Sequence, residues 1–306
     1  MMRGFWMMKM NRTTCPCAKL RKARQTKRRR TLSNLRNTTV TGRMSWGEVE
    51  AVIRGDKQAY GSCFAVWGWG SQEQHGPRMP LDTDALIAEH FAQLIARERH
   101  VLQFPTVPIG MSRHHEAFPG TVSLSQEAAY GVAASVLRSL HRMGVTHLFA
   151  LMGHGGNVNP FHAAVQGLGK EIAGLTVCEP LDALFYTTEG ELGELLNSFG
   201  ETVSHAGAAE CSIIYAIMDD HERRVDIADL NAVKITDDMV TLGGHGVGTQ
   251  GGNPEAFRQM FPYGSKGDQR KSDTTRGRRM LHLMEQALLA KFDEFVTPTL
   301  ATTRRQ

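Results

Sequence analysis

The stretch CFAVWGWGSQEQHGP, residues 63–77, contains the strand around which the fold is predicted to form. Its first part, residues 63–69, is a short apolar run bounded by glycine. Such a run is typical of a strand that is buried on both faces, as in a parallel sheet. Glu73 and His75 follow two positions apart, so in an extended backbone both side chains point to the same side.

Strand-like and helix-like segments alternate along the rest of the chain. Further strands are predicted at residues 101–107, 146–152 and 175–178, and helices at residues 84–99, 125–143, 160–172, 208–218 and 274–295. This alternation predicts an α/β fold with a mostly parallel central sheet and helices on both faces. Right-handed crossovers place the carboxyl ends of such strands along one edge, where ligands bind.

Residues of the metal-ligand type follow two of these strands and open two of these helices. Asp84 lies at the start of the helix after the 63–77 stretch, and His154 follows the strand at residues 146–152. Glu210 lies in the first turns of an otherwise apolar helix, where a buried acid needs a partner. Carboxylates together with imidazoles are the usual ligands of Zn and Mn.

Two further features surround these candidate ligands. His154 lies in a glycine-rich turn with Gly155, Gly156 and Asn157, where small residues allow substrate to approach the backbone. The free N–H groups of that turn are candidates for binding an oxyanion. His205 lies five residues before Glu210, close enough to reach the same pocket.

Each of these residues also has an ordinary interpretation. Glu73 taken alone predicts a surface acid, and His75 an ordinary loop histidine. With 13 His and 31 Asp and Glu in the chain, some Glu-x-His pairs arise by chance. The joint placement at two strand ends and one helix start favours a metal site.

The motifs closely resemble those of the creatininase (creatinine amidohydrolase) family. Residues 70–84, which read GSQEQHGPRMPLDTD, are similar to the family signature. The Gly-His-Gly-Gly-Asn turn at residues 153–157 and the His-Ala-Gly segment followed by Glu at residues 205–210 also match family motifs. The segment FPGT at residues 118–121 is similar to a further family stretch. The resemblance extends from about residue 45 to residue 295.

This resemblance implies a three-layer α/β sandwich with two divalent metal ions per subunit, either Zn, Mn or Fe. Glu73 and His154 would bind one ion, His75 and Glu210 the other, and Asp84 would bridge the two. His205 would transfer protons. The family also implies a homo-oligomer, specifically a hexamer.

The sequence departs from the creatinine-hydrolysing branch of that family. Gly155 and Gly156 stand where that branch has an aromatic residue and a metal-binding Glu. Glu201 and Thr202 stand in the region where it has a Trp. We therefore expect a small-molecule substrate other than creatinine.

The predicted reaction is hydrolysis of a C–N bond in a small amide, either cyclic or formyl, by a hydroxide held between the two metal ions. The alternative is that the same metal site opens a ring C–C or lactone bond. A third hypothesis from another class is nucleic-acid binding through the basic N-terminal segment.

That basic segment is distinct in composition from the rest of the chain. Thirteen of the 35 Lys and Arg residues lie within residues 1–46, which contain no Asp or Glu, so the remainder is mildly acidic and has no nucleic-acid footprint. Residues 1–44 are predicted to be a disordered tail, residues 45–298 the hydrolase domain, and residues 299–306 a C-terminal tail. Two alternatives for the tail are a start of translation at Met44 and a transit peptide.

Cysteine usage and hydropathy restrict the compartment. The five cysteines are odd in number and scattered, which indicates a reducing environment, and the predicted location is cytoplasmic. No apolar run of about 18 residues occurs, so no membrane span is predicted.

Overall fold

The fold is built around a four-stranded, fully parallel sheet with the strand order β2-β1-β3-β4. The computed structural model describes residues 40–181, 185, 187–201, 204–220, 234–241 and 253–303. The strands are β1 (Phe64–Trp69), β2 (Leu102–Val107), β3 (His147–Met152) and β4 (Thr176–Cys178). Each of the four predicted strands is present, and its bounds differ from the predicted ones by one residue at the start.

Helices connect and cover these strands. They are α1 (Trp46–Tyr60), α2 (Thr83–Arg99), α3 (Gln126–Met143), α4 (Val158–Leu168), α5 (Gly190–Asn197), α6 (Ala208–Asp220), α7 (Pro254–Met260) and α8 (Thr274–Thr303). The helix predicted at residues 160–172 instead begins at Val158 and ends at Leu168, and a 3-10 helix continues from Gly169 to Ile172. In the described part of the chain, no helix is both long and apolar enough to cross a membrane.

The two faces of the sheet belong to two separate apolar cores. Phe64 and Val66 of β1 point into a core shared with α2, α6 and α8. Ala65, Trp67 and Trp69 point the opposite way, into a core shared with α3 and α4. This alternation follows from the two-residue period of a strand and explains why the whole strand is apolar. The predicted α/β fold with helices on both faces is confirmed.

Local capping explains where several helices begin and end. Ser45 and Glu48 form a capping box at the start of α1, in which each side chain accepts a hydrogen bond from the backbone N–H of the other residue. The Ser125 hydroxyl accepts a hydrogen bond from the N–H of Ala128 at the start of α3. Gly144 ends α3 in the left-handed conformation, which glycine adopts readily at the end of a helix.

Helical structure extends beyond residues 45 and 298, the predicted edges of the domain. Thr41–Arg43 form a 3-10 helix, and the Thr41 hydroxyl donates to the carbonyl of Gln103 on β2, so the folded part begins before residue 45. The predicted disorder of residues 1–39 lies outside the described residues. At the other end, α8 continues to Thr303 through the segment predicted to begin the C-terminal tail.

The order of the strands creates a crevice at one edge of the sheet. From β1 the chain crosses to β2 on one side, and the next strand, β3, lies on the other side of β1. The carboxyl ends of β1 and β3 therefore flank the point where the direction of winding reverses, which is where parallel sheets bind ligands. The loops after β1 and β3 carry most of the predicted site residues.

Candidate metal centre

The loop after β1 places Glu73 and His75 in the interior. Both side chains are buried, with 0% and 1% of their surface exposed. The backbone N–H of Glu73 donates to the carbonyl of Leu81, and His75 Nδ1 lies 3.1 Å from the carbonyl oxygen of Glu73. If Nδ1 carries the ring proton, Nε2 is free to point into the site.

Asp84 reaches the same site from the first turn of α2. The start of this helix lies directly against the backbone of the two central strands. A Cβ at Gly70 would collide with the backbone of Ala85, and a Cβ at Gly153 would collide with the carbonyl oxygen of Asp84. Glycine at these two positions therefore allows the helix to bring the Asp84 carboxylate between the two strand ends.

Asp84 has one histidine on each carboxylate oxygen. His75 Nε2 lies 3.1 Å from Oδ1, and His154 Nδ1 lies 3.1 Å from Oδ2. Two further carboxylates flank the histidines: Glu73 Oε2 is 3.2 Å from His154 Nδ1, and Glu210 Oε1 is 3.8 Å from His75 Nε2. The structure thus brings together all five residues that the sequence predicts as ligands.

Three carboxylate oxygens in this cluster lack hydrogen-bond donors within the described part of the chain, whereas Glu210 Oε2 accepts a hydrogen bond from the N–H of Ala206. Among the described residues, no hydrogen-bond partner is found for either carboxylate oxygen of Glu73 or for Oδ2 of Asp84. All three atoms are buried. Leaving such atoms without partners is costly, and a cation is the partner that a group of carboxylates and imidazoles selects. The donor set therefore fits divalent metal ions.

The charges in the cluster shift the pKa values strongly. Burial raises the pKa of Glu73 to about 7, and the neighbouring Asp84 adds to this rise. Burial also raises the pKa of Glu210. Burial acts to lower the pKa of His75 and of His154, but the adjacent carboxylates outweigh it and raise these values to about 10 and about 9. Burial acts to raise the pKa of Asp84, but His75 and His154 hold it below its ordinary value. The carboxylates of the cluster therefore favour the positively charged forms of His75 and His154.

A third loop, after β2, contributes two histidines that the sequence analysis did not identify. His115 is 1% exposed, and its Nε2 lies 3.5 Å from Glu73 Oε1. His114 is adjacent, and its ring lies 3.9 Å from that of His115. The pair precedes the family-like segment at residues 118–121 by three residues, which is the signal that could have found it.

His205 lies in the loop before α6, as predicted, and faces the same cluster. Its Nδ1 is 3.6 Å from Glu73 Oε1, and its ring stacks on that of His115 with 4.2 Å between centroids. Burial and the nearby positive charge of His75 hold the pKa of His205 well below its ordinary value. A neutral imidazole next to the cluster is able to accept a proton.

Three groups of potential ligand atoms, each within 4.8 Å of one another, occur in the described residues. They are Glu73 with Asp84 and His154, His75 with His205 and Glu210, and Glu73 with His115 and His205. The first group contains the predicted ligands Glu73, Asp84 and His154. The second contains the predicted ligands His75 and Glu210 together with His205, which was predicted to transfer protons. The third adds His115 to the possible ligand set.

A cavity of about 350 Å³ opens over these groups. Gly155 and Gly156 line it, together with His114, His115 and Ser204. Asn157 has a different place: its amide donates to the carbonyl of Gly70, and its oxygen accepts from the N–H of Met111. The Asn157 side chain therefore joins the loops after the three strands and is not part of the cavity lining.

Comparison with known proteins identifies the family. The family model described as creatinine amidohydrolase (creatininase) matches residues 42–292, which include every predicted site residue. The chain belongs to the creatininase family. This is a family of metal-dependent hydrolases, and the resemblance predicted from the three motifs is confirmed.

Curated relatives within the family carry the name mycofactocin precursor peptide peptidase. The relative from Mycolicibacterium smegmatis is 37% identical over 136 residues, or 42% of this chain and 55% of the relative. The relative from Mycobacterium ulcerans is 29% identical over 222 residues, or 69% of this chain and 77% of the relative. The matched stretch thus spans about half to three quarters of these relatives.

Solved creatininases share the fold. A crystal structure of creatinine amidohydrolase (creatininase) covers 84% of this chain with a TM-score of 0.65 at 21% identity, and 98% of that structure is covered. The structure titled "Creatininase Mn" gives a TM-score of 0.66 at 19% identity, covering 84% of this chain and 98% of that one. The three-layer creatininase-like architecture is therefore confirmed.

Proposed function

We propose that this protein is a binuclear metal-dependent hydrolase that cleaves the C–N bond of an amide. The observation that carries this proposal is the arrangement around Asp84, which has an imidazole 3.1 Å from each of its oxygens. A carboxylate so placed is suited to bridging two cations. Glu73 with His154 would hold one ion, and His75 with Glu210 the other.

The residues around the ions divide the chemistry between them. When bound at such a site, divalent ions lower the pKa of water toward neutrality and polarise a carbonyl oxygen. His205 accepts the proton released during attack on the carbonyl carbon and delivers it to the leaving nitrogen. The backbone N–H groups of Gly155 and Gly156, at the cavity wall, orient the substrate carbonyl.

The names of the relatives make a peptide the first substrate class to test. A cavity of about 350 Å³ lies at the lower end of the range for ligand pockets, roughly 300–1,000 Å³. Small cyclic and formyl amides, as predicted from the sequence, form the second class, and lactones or ring C–C bonds the alternative reaction.

Metal analysis and a substrate panel test this proposal. Purified protein loaded with Zn, Mn or Fe should bind about two ions per chain and hydrolyse a peptide amide or a small amide. The panel includes short peptides, cyclic amides, formamides, lactones and cyclic β-diketones. Binding of fewer than about one ion per chain, with no hydrolysis after metal is added, contradicts the proposal.

The homo-oligomer, its hexameric size and the cytoplasmic location remain predictions. Light scattering after size-exclusion chromatography of the metal-loaded protein measures the first two. A monomer with full activity would show that assembly is not required for the site.

A further inference from the structure

The orientation of the Gln74 side-chain amide is determined by two backbone groups. Its Oε1 accepts from the N–H of Gly76 at 3.0 Å, and its Nε2 donates to the carbonyl of Gly264 at 3.0 Å. A backbone N–H only donates and a carbonyl only accepts, so the opposite orientation of the amide would place like groups against each other. Gln74 is 5% exposed and well confined.

The second hydrogen on Gln74 Nε2 has two histidine nitrogens within reach. His115 Nδ1 lies at 2.8 Å and His205 Nε2 at 2.9 Å. His205 Nε2 is also 2.9 Å from the backbone carbonyl oxygen of Gln74, which only accepts. His205 Nε2 must therefore carry a hydrogen, and the amide hydrogen is left for His115 Nδ1.

A neutral imidazole carries one ring hydrogen, so each assignment determines the other nitrogen. His205 then has a free lone pair on Nδ1, the atom that faces Glu73 Oε1 at 3.6 Å. His115 has an N–H at Nε2, which faces the same oxygen at 3.5 Å.

We propose that Gln74 is a positioning residue that sets the tautomers of His205 and His115. With Gln74 in place, His205 presents a bare Nδ1 to accept a proton, and His115 presents an Nε2–H that steadies the Glu73 carboxylate. One amide and one carbonyl of the same residue thus assign opposite roles to two stacked histidines. This inference rests on the proposed function, because it assigns His205 as the proton acceptor.

Packing keeps both rings in place for these roles. Phe257 meets the His115 ring edge to face, with 4.5 Å between centroids, and His205 stacks on His115 with 24° between the ring planes. Among the described residues, His115 Nε2 has no hydrogen-bond partner, so the oxygen of Glu73 is the acceptor toward which it points. The ring stack therefore holds the geometry, while Gln74 selects the position of the proton.

The direct test is the nitrogen-15 NMR spectrum of protein labelled at its 13 histidines. Protonated and bare ring nitrogens have well-separated shifts, and His115→Asn and His205→Asn variants assign the two rings. We expect a hydrogen on Nε2 of both rings in the metal-free protein. A hydrogen on Nδ1 of either ring in the wild-type spectrum overturns the inference.

Variants at Gln74 test the consequence for turnover. Gln74→Glu keeps the shape but cannot donate, so His115 should take its hydrogen on Nδ1 and lose the Nε2–H that faces Glu73. The backbone carbonyl of residue 74 still sets the His205 tautomer, so kcat should fall by only about 10-fold, the effect of losing one hydrogen bond to a charged group. Gln74→Met removes the donor without adding charge and should give a similar loss, with KM and metal content unchanged. Unaltered tautomers and unaltered kcat in both variants would also overturn the inference.

Gln72→Glu is the matched control. Gln72 lies two residues away and donates only to the carbonyl of Gly120 on the surface, so the same substitution there should leave tautomers and kcat unchanged. The spectrum of wild-type protein does not depend on hydrolysis or on any variant. Correct tautomers without activity would refute the proposed function alone, whereas activity with wrong tautomers would refute this inference alone.

Discussion

Two carboxylates on the same helix, Asp84 and Glu89 of α2, have opposite surroundings. Glu89 accepts hydrogen bonds from neutral donors on both oxygens: Gln93 at 2.6 Å and Gln103 at 3.1 Å on Oε1, and the Thr106 hydroxyl on Oε2. Asp84, one helical turn earlier, is surrounded by imidazoles and further carboxylates, and its Oδ2 has no hydrogen-bond partner among the described residues.

This difference separates a structural carboxylate from a ligand carboxylate. Neutral donors satisfy a buried acid and leave it nothing further to bind. A group of carboxylates that share imidazoles but lack such donors keeps its lone pairs for a cation, and its mutual repulsion is relieved when the cation binds. The same helix therefore stabilises the sheet through Glu89 and builds the candidate metal centre through Asp84.

The largest expected effect comes from Asp84→Asn. The substitution keeps the shape but removes the negative charge between the two proposed ion positions, so at least one metal ion and the activity should be lost. Glu89→Gln is the matched control, which should cost only about 1–3 kcal/mol of stability and retain metal and activity. Metal content by mass spectrometry and initial rates decide between the two. Equal metal loss in both variants would contradict the comparison.

His205→Asn should leave the metals in place and slow turnover by roughly two to four orders of magnitude, the usual contribution of general acid–base catalysis. The matched control is His282→Asn on the exposed face of α8, where the histidine hydrogen-bonds Gln286 and lies 4.0 Å from Glu285. The measurements are kcat, metal content and thermal unfolding. If His205→Asn reduces stability but keeps near-native kcat, the histidine only packs or caps the loop.

Metal removal should destabilise the wild-type protein. An ion that binds only the folded state adds about 2.7 kcal/mol of stability when its free concentration is about 100 times its Kd. A chelator should therefore lower the melting temperature of the wild type and of Glu89→Gln, and change that of Asp84→Asn much less. Calorimetry with and without chelator makes the measurement. If the chelator leaves the melting temperature of the wild type unchanged, the unpartnered carboxylates bind no ion.

Two glycine-to-alanine substitutions should have opposite signs. Gly153→Ala places a Cβ against the carbonyl of Asp84 and should destabilise the protein by about 1–3 kcal/mol while weakening metal binding. Gly131→Ala, in α3, meets no atom within 4 Å and should stabilise by about 0.5–1 kcal/mol. Denaturant unfolding measures both. A destabilising Gly131→Ala, or a neutral Gly153→Ala, would contradict the packing described at the strand ends.

The sequence predicted the parts of the fold that depend on local pattern. The four strands and the capping residues Ser45, Ser125 and Gly144 were recognisable because each depends on residues within a few positions. The predicted end of α4 at residue 172 was wrong. The α-helix ends at Leu168 because Gly169 takes a positive φ of 38°, and a 3-10 helix follows, so the glycine was the local signal that the prediction missed.

The candidate site was predictable where a motif carries it and not elsewhere. Glu73, His75, Asp84, His154 and Glu210 lie in recognisable segments, and the fold brings them together. His115 and Gln74 could not be assigned, because their roles depend on contacts between distant loops. The Gln74 amide is oriented by Gly264, which is 190 residues away in the chain.

The long helix α8 also bears on how this protein is made. Its buried residues Met280, Met284, Leu288 and Phe292 complete the core on one face of the sheet. The last strand among the described residues ends at Cys178 and the helix ends at Thr303, so roughly 6–25 s of synthesis separate them at about 5–20 residues per second. During that interval the nascent sheet has one apolar face without its final cover. Folding of this domain is therefore expected to finish late in translation, with chaperones as the natural occupants of that face.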